Sequence, residues 1–187
     1  MTENRPTRTE EYALCRKKAA AWGTVTAVLI CAAAVALIFT VIFKPLRVFD
    51  DGMSPMLEPN DVILVSRLSK YITRPVRGDA VAFKDKETGA VRIGRIVALG
   101  GEAVQIQNRR VYINGQLLDE RTYVADFDCE DMEPFTVPEG SVYILCDARS
   151  FATISPERAA IPCGDIIGVI VMRLAPIDRL NVFVRAR

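Results

Sequence analysis

A chain of 187 residues with one long apolar run leaves room for a single folded domain beyond that run. A formal net charge of +1 gives no basic excess of the kind a nucleic-acid binder carries. The absence of histidine excludes Ser-His-Asp and Cys-His catalysis and most zinc sites.

Residues 1–20 form a polar tail that carries Arg5, Arg8, Arg16, Lys17 and Lys18. Residues 21–43 contain no charge, and as a helix they reach about 34 Å, enough to cross a hydrocarbon core of about 30 Å. A cleavable signal peptide has a shorter apolar stretch followed by a small-residue cleavage site, whereas here Lys44, Pro45, Leu46 and Arg47 follow. The run therefore reads as an uncleaved transmembrane anchor. Basic residues concentrate before it, so the N-terminus is expected in the cytoplasm and residues 44–187 outside, against the membrane lipid.

Beyond Arg47, short apolar or alternating runs recur between turn signals: 61–66, 79–83, 91–97, 103–107, 110–114, 141–145 and 166–172. Asn114-Gly115 after an apolar run signals a hairpin. The pattern predicts a mainly β, antiparallel sandwich or partly closed barrel preceded by one transmembrane helix. Cys129, Cys146 and Cys163 show no metal-ligand spacing; three reduced thiols are the default expectation, with one disulfide between two of them left open. No metal or other cofactor is expected. The acidic stretch Asp126, Asp128, Glu130, Asp131 and Glu133 reads as a solvated loop or a partner-facing patch.

Four stretches then carry a resemblance. They are Gly52-Met-Ser-Pro-Met-Leu57, Arg77-Gly-Asp-Ala-Val-Ala-Phe83, Ile93-Gly-Arg-Ile-Val-Ala-Leu-Gly-Gly-Glu102, and Val137-Pro-Glu-Gly140 with Cys146-Asp-Ala-Arg149. In order and spacing they resemble the signature boxes of bacterial type I signal peptidases, and Val111-Tyr-Ile-Asn-Gly115 and Glu120 match a linker of that family. The resemblance implies a β-rich membrane-surface serine peptidase that removes signal peptides with a Ser-Lys dyad. In such a dyad a buried, neutral lysine takes the serine proton.

The sequence departs from that pattern where the chemistry sits. The nucleophile position falls on Gly52 and the general-base position on Gly94. The six lysines are Lys17, Lys18, Lys44, Lys70, Lys84 and Lys86, so none follows Lys86 and no shift of the third box restores one. Asp50 stands where the family often places a small or hydroxyl residue near the oxyanion, and a carboxylate there opposes a developing negative charge. Ala152, Ile154, Ser155 and Pro156 replace the residues that buttress the lysine, and Cys146 replaces a glycine. Arg95, Asp147 and Arg149 read as structural ion-pair formers. Phe83, Phe127, Phe135 and Phe151 are candidates for the groove or the membrane contact, with core packing as the default.

The expectation is a degenerate, inactive member. It retains a groove beside Met53, Pro55 and Leu57 and holds extended segments by strand addition, as a scaffold or chaperone for exported proteins. The resemblance implies pilin-like segments as partners in pilus assembly, with sortase or another secretion component nearby. An active signal peptidase with Ser54 as a non-standard nucleophile stays open as the alternative. Ser54 lies about 6–7 Å along an extended chain from Gly52, beyond attack distance.

Overall fold

The computed structural model describes residues 8–69, 76–124, 127–151 and 155–183. Arg5, Lys70, Asp126, Ala152 and Ile154, singled out above, lie outside the described residues. The chain divides into two units, Met1–Val41 and Ile42–Arg187.

In the first unit, helix α1 covers Arg8–Ile42. Its stretch Trp22–Ile42 is apolar on all sides, with mean hydropathy 2.8 over its most apolar part, and at 1.5 Å per residue it extends about 31 Å. Thr26 and Thr40 donate their hydroxyls to the carbonyls of Gly23 and Leu37, at 2.9 and 2.8 Å, so neither asks for a partner outside the helix. The helix stops at Ile42, one residue before the boundary expected above. Phe43 already belongs to a strand, and Pro45 has no N–H with which to continue a helix.

The second unit is built from antiparallel strands: β1 (Phe43–Arg47), β2 (Val62–Ser66), β3 (Ala80–Lys84), β4 (Val91–Leu99), β5 (Ala103–Gln107), β6 (Arg110–Ile113), β7 (Gln116–Leu117), β8 (Met132–Thr136), β9 (Ser141–Leu145), β10 (Ala160–Pro162), β11 (Ile166–Ala175) and β12 (Asn181–Val182). One sheet runs β1-β2-β11-β3-β4-β9-β10, with β12 paired to β11; the other runs β7-β6-β5-β8. A short helix α2, Pro156–Ala159, leads into β10. The mainly β, antiparallel class expected from the sequence is the class observed. Register shifts in β11 against β2 and β3, and in β4 against β9, curl the larger sheet.

Two turns show why the chain folds back where it does. Asn114 and Gly115 both have positive φ, 51° and 77°, as the tight hairpin between β6 and β7 requires. Asn108 and Arg109 do the same between β5 and β6 without a glycine, which hid that turn from the sequence pattern. Elsewhere a Cβ on Gly168 would stand 2.2 Å from the Ser66 carbonyl oxygen, so β11 and β2 approach as they do only because Gly168 has no side chain.

The core falls into three clusters. Val48, Met53, Leu57, Ile63 and Val65 anchor the loop between β1 and β2. Val81, Ile96, Ile144, Ile161 and Ile166 fill one face around β4. Val97, Val104, Val111, Tyr143 and Leu145 join the two sheets.

Candidate functional site

Successive side chains of a strand point to opposite faces, so Gly94 and Arg95 open onto different surroundings. On the Gly94 face lies a cleft of about 80 Å³ lined by Asp50, Gly52, Phe83, Asp85, Arg92, Ile93, Ile144, Leu145, Cys146, Arg158, Ala159 and Ile161. The fold therefore brings Gly52, from the loop after β1, to the strands that carry Gly94 and to Cys146.

Neither glycine leaves an open socket for a side chain. A Cβ on Gly94 would meet Ile144 Cγ2 at 2.4 Å, the Leu145 carbonyl oxygen at 3.2 Å and Phe83 Cε1 at 3.6 Å. The register explains the contact: Ile144 pairs with Ile96 and Leu145 with Arg95, which places the Ile144 side chain diagonally across from Gly94. A Cβ on Gly52 would lie 3.1 Å from Asp50 Oδ1 and 3.3 Å from Cys146 Sγ, close but not blocked. The Gly52 N–H donates to Asp50 Oδ1 at 3.1 Å, and the Gly52 carbonyl accepts from the Ala148 N–H at 3.0 Å.

The chemical groups in the cleft are few. Burial pushes the Cys146 thiol up to about 11, with the Asp50 carboxylate adding to the effect, so at neutral pH it is a protonated, weak nucleophile. Arg92 approaches Asp85 at 3.7 Å, and Arg158 pairs with Glu87 at 2.9 Å. Among the described residues no cluster of histidine, cysteine, aspartate or glutamate is arranged to hold a metal. Cys129, Cys146 and Cys163 are free thiols.

The other predicted positions spread out. Met53 and Leu57 are fully buried, while Pro55 is exposed. Ser54 is half-buried, and its N–H donates to the Asp51 carbonyl at 2.9 Å within a tight turn. Phe83 lines the cleft. Phe127 lies under the Arg110 guanidinium at 4.2 Å, and Phe135 packs against Tyr143 with ring centroids 6.1 Å apart.

On the opposite face the Arg95 guanidinium grips Asp147 by two bonds, Nε to Oδ1 at 2.8 Å and Nη2 to Oδ2 at 2.5 Å. Its Nη1 donates to the Gly78 carbonyl at 2.8 Å, and the group stacks over the Tyr123 ring at 4.3 Å. Arg149 pairs through Nη2 with Glu120 rather than with Asp147, and Tyr123 donates its hydroxyl to Glu120 at 3.2 Å. Burial raises the pKa of Asp147 and of Glu120, against the pull of Arg95 and Arg149 respectively. Sequence reasoning found Arg95, Asp147, Arg149 and Glu120 as matched positions, but missed Tyr123 and the plugging Ile144. A β-branched residue on a strand facing a glycine-bearing partner was the signal for Ile144, legible only once the β4–β9 register is known.

The family model for signal peptidase, peptidase S26, matches residues 21–175. A signal peptidase I from Leptolyngbya laminosa is 34% identical over 139 residues, covering 70% of this chain and 68% of its own. Signal peptidase I P of Bacillus subtilis subsp. natto is 26% identical over 176 residues, 89% of this chain and 95% of its own. A crystal structure of a signal peptidase I from Enterococcus faecalis V583 superposes with a TM-score of 0.45 at 27% identity, covering 52% of this chain and 97% of that one.

Proposed function

The chain belongs to the peptidase S26 family of signal peptidases, and we propose a membrane-anchored protein that binds extended segments of exported proteins and, with Gly52 and Gly94 at the two matched positions, does not hydrolyse them. In this reading residues 1–20 lie in the cytoplasm, residues 21–43 span the membrane, and the β domain from residue 44 onward meets exported chains outside. Pilin-like subunits, with a sortase nearby, are the partners carried over from the sequence resemblance.

The observation that carries this reading is Ile144. Its methyl stands where any side chain on Gly94 would begin, which supports reading the general-base position as both empty and closed. Asp50 supports it independently. Its carboxylate accepts the Gly52 N–H, a donor that in an acyl-transfer site would face the oxyanion. Strand addition needs main-chain groups only, so loss of both side chains leaves that mode of binding intact.

The test is cleavage of a fluorogenic signal-peptide substrate by the full chain in detergent, beside binding of the same peptide in uncleavable form. Binding without turnover is expected. Restoring turnover should need Ile144→Ala and Asp50→Ser together with Gly52→Ser and Gly94→Lys. Turnover by the parent chain overturns the reading. The alternative, an active signal peptidase using Ser54, draws on the peptidase names of the relatives. Turnover that Ser54→Ala abolishes would establish it.

A further inference from the structure

The cleft beside the two glycines holds about 80 Å³, well below the roughly 300–1,000 Å³ of a small-molecule site. It takes one side chain of a longer molecule rather than a whole ligand. The main chain beside it is open to such a molecule. β4 pairs with β3 over residues 91–95, but its pairing with β9 begins only at Arg95. Residues 91–94 therefore keep one strand edge beside the cleft, which Arg92 and Ile93 line. The outer strands of the same sheet, β1 and β10, each carry a proline, Pro45 and Pro162, which removes a donor from the edge.

Four charged side chains line the cleft: Asp50, Asp85, Arg92 and Arg158. Both cations have partners. Arg92 approaches Asp85 at 3.7 Å, and Arg158 pairs with Glu87 at 2.9 Å. Asp50 forms no ion pair among the described residues, and its Oδ1 accepts the Gly52 N–H. The residue is exposed, so its carboxylate stands at the mouth of the cleft. Its charge is felt inside. After burial it is the largest influence raising the Cys146 thiol, ahead of the opposing pull of Arg92.

A segment laid along residues 91–94 passes this carboxylate. A peptide carbonyl or an acidic side chain set against Asp50 is repelled, and a cation is attracted. We propose that the cleft selects segments that place a lysine or arginine side chain against Asp50, an inference that rests on the reading of the chain as a binder of extended segments. A free N-terminus offers the same charge. The edge at residues 91–94 favours a segment that runs on past the cleft, which a side-chain cation permits.

The experiment measures fluorescence anisotropy of the blocked peptides Ac-Ala-Ala-X-Ala-Ala, with X as Lys, Gln or Glu and a fluorophore on the C-terminal amide. Each is titrated with the full chain in detergent at low salt. The lysine peptide should bind about two- to fivefold more tightly than the glutamine peptide, the range of an exposed ion pair, and the glutamate peptide should be the weakest. Added salt should narrow the gap. Asp50→Asn keeps an oxygen to accept the Gly52 N–H, and it should bring the lysine peptide to the affinity of the glutamine peptide. Equal binding of all three peptides by the parent chain overturns the proposal and leaves strand binding standing. A lysine preference that survives Asp50→Asn, or that does not weaken with salt, overturns it as well. So does an unblocked pentaalanine that binds as tightly as the lysine peptide, since the cation would then be a chain end. Binding of none of the peptides overturns both the proposal and the reading beneath it.

Discussion

The two faces of β4 have met different fates. On one, Gly52, Gly94 and Cys146 fall in the boxes matched above, Ile144 closes the position beside Gly94, and Asp50 crowds Gly52 without blocking it. On the other, one residue along in each case, Arg95 and Asp147 are locked together and continue through Tyr123 and Glu120 to Arg149. The matched boxes thus contain two kinds of residue, some that would perform chemistry and some that hold the strands. Retention of the second kind carries no information about the first, because a buried ion pair that loses one member is costly whatever the neighbouring face does.

Removing one partner from the ionic face should have the largest effect. Asp147→Ala leaves Arg95 buried without its counter-charge, and a loss of about 3–5 kcal/mol is expected in denaturant unfolding of the full chain. An Arg95→Met, Asp147→Leu double variant should recover much of that loss, since an apolar pair of similar volume avoids the uncompensated charge. A cost below about 1 kcal/mol for Asp147→Ala, the size of an exposed pair, would remove the distinction between the faces.

The glycine face should respond to added volume instead. Gly94→Ala puts a methyl against Ile144 and a backbone carbonyl and should cost about 1–3 kcal/mol by overpacking. In an Ile144→Ala background the same change should cost much less, with only the 3.2 Å approach to the Leu145 carbonyl left, a coupling that a double-mutant cycle measures directly. Additive costs would mean that Ile144 does not close the Gly94 position. Gly52→Ser should be milder, within about 1 kcal/mol, because its contacts are with the Asp50 and Cys146 side chains, which can turn aside. It should yield no turnover by itself.

The anchor and most central strands were legible in the sequence, the first from an uninterrupted apolar run and the others from alternation between turn residues. The edge strands β1, β7, β8 and β10 and the short β12 were not, and Glu133, read as part of a loop, lies in β8. Pro45 and Pro162 weaken the strand signal, and pieces as short as Gln116–Leu117 carry no periodicity. At the site, Gly52 and Gly94 could be found by matching boxes, because they are local in sequence. Ile144 and the pairing of Arg149 with Glu120 could not, because both depend on register and on a loop brought in from 29 positions away. Met53 and Leu57 illustrate the same limit. An apolar residue beside a groove and one beneath it look alike until burial is known, and both are fully buried here.

The smallest effect separates the two faces by pH, through the neighbours Cys146 and Asp147. Burial raises both pKa values, so both shift stability in the same direction but in different windows. For Asp147, with Glu120 alongside, the unfolded carboxylates ionise near 3.8 and 4.5, while the folded ones hold their protons to higher pH. The native state then binds more protons than the unfolded one, so their contribution is greatest below 3.8 and is lost as pH rises through the folded values. For Cys146 the same loss begins near 9.0 and is complete above about 11. Asp147 and Glu120 should therefore pull the denaturation midpoint down from acid toward neutral pH, against Asp85, Asp119 and Glu157, whose lowered pKa values pull it up, and Cys146 should pull it down again in alkali. Cys146→Ala should make only the alkaline limb shallower, since Cys129 and Tyr143, also raised by burial, keep part of it, and Glu120→Gln should weaken the acidic downward pull. A Glu120→Gln variant whose midpoint instead rises less steeply from acid to neutral pH than the parent's would mean that Arg149 outweighs burial and keeps Glu120 ionised. That end of the ionic face would then be held by charge pairing in the full sense, while burial would still govern the thiol on the glycine face.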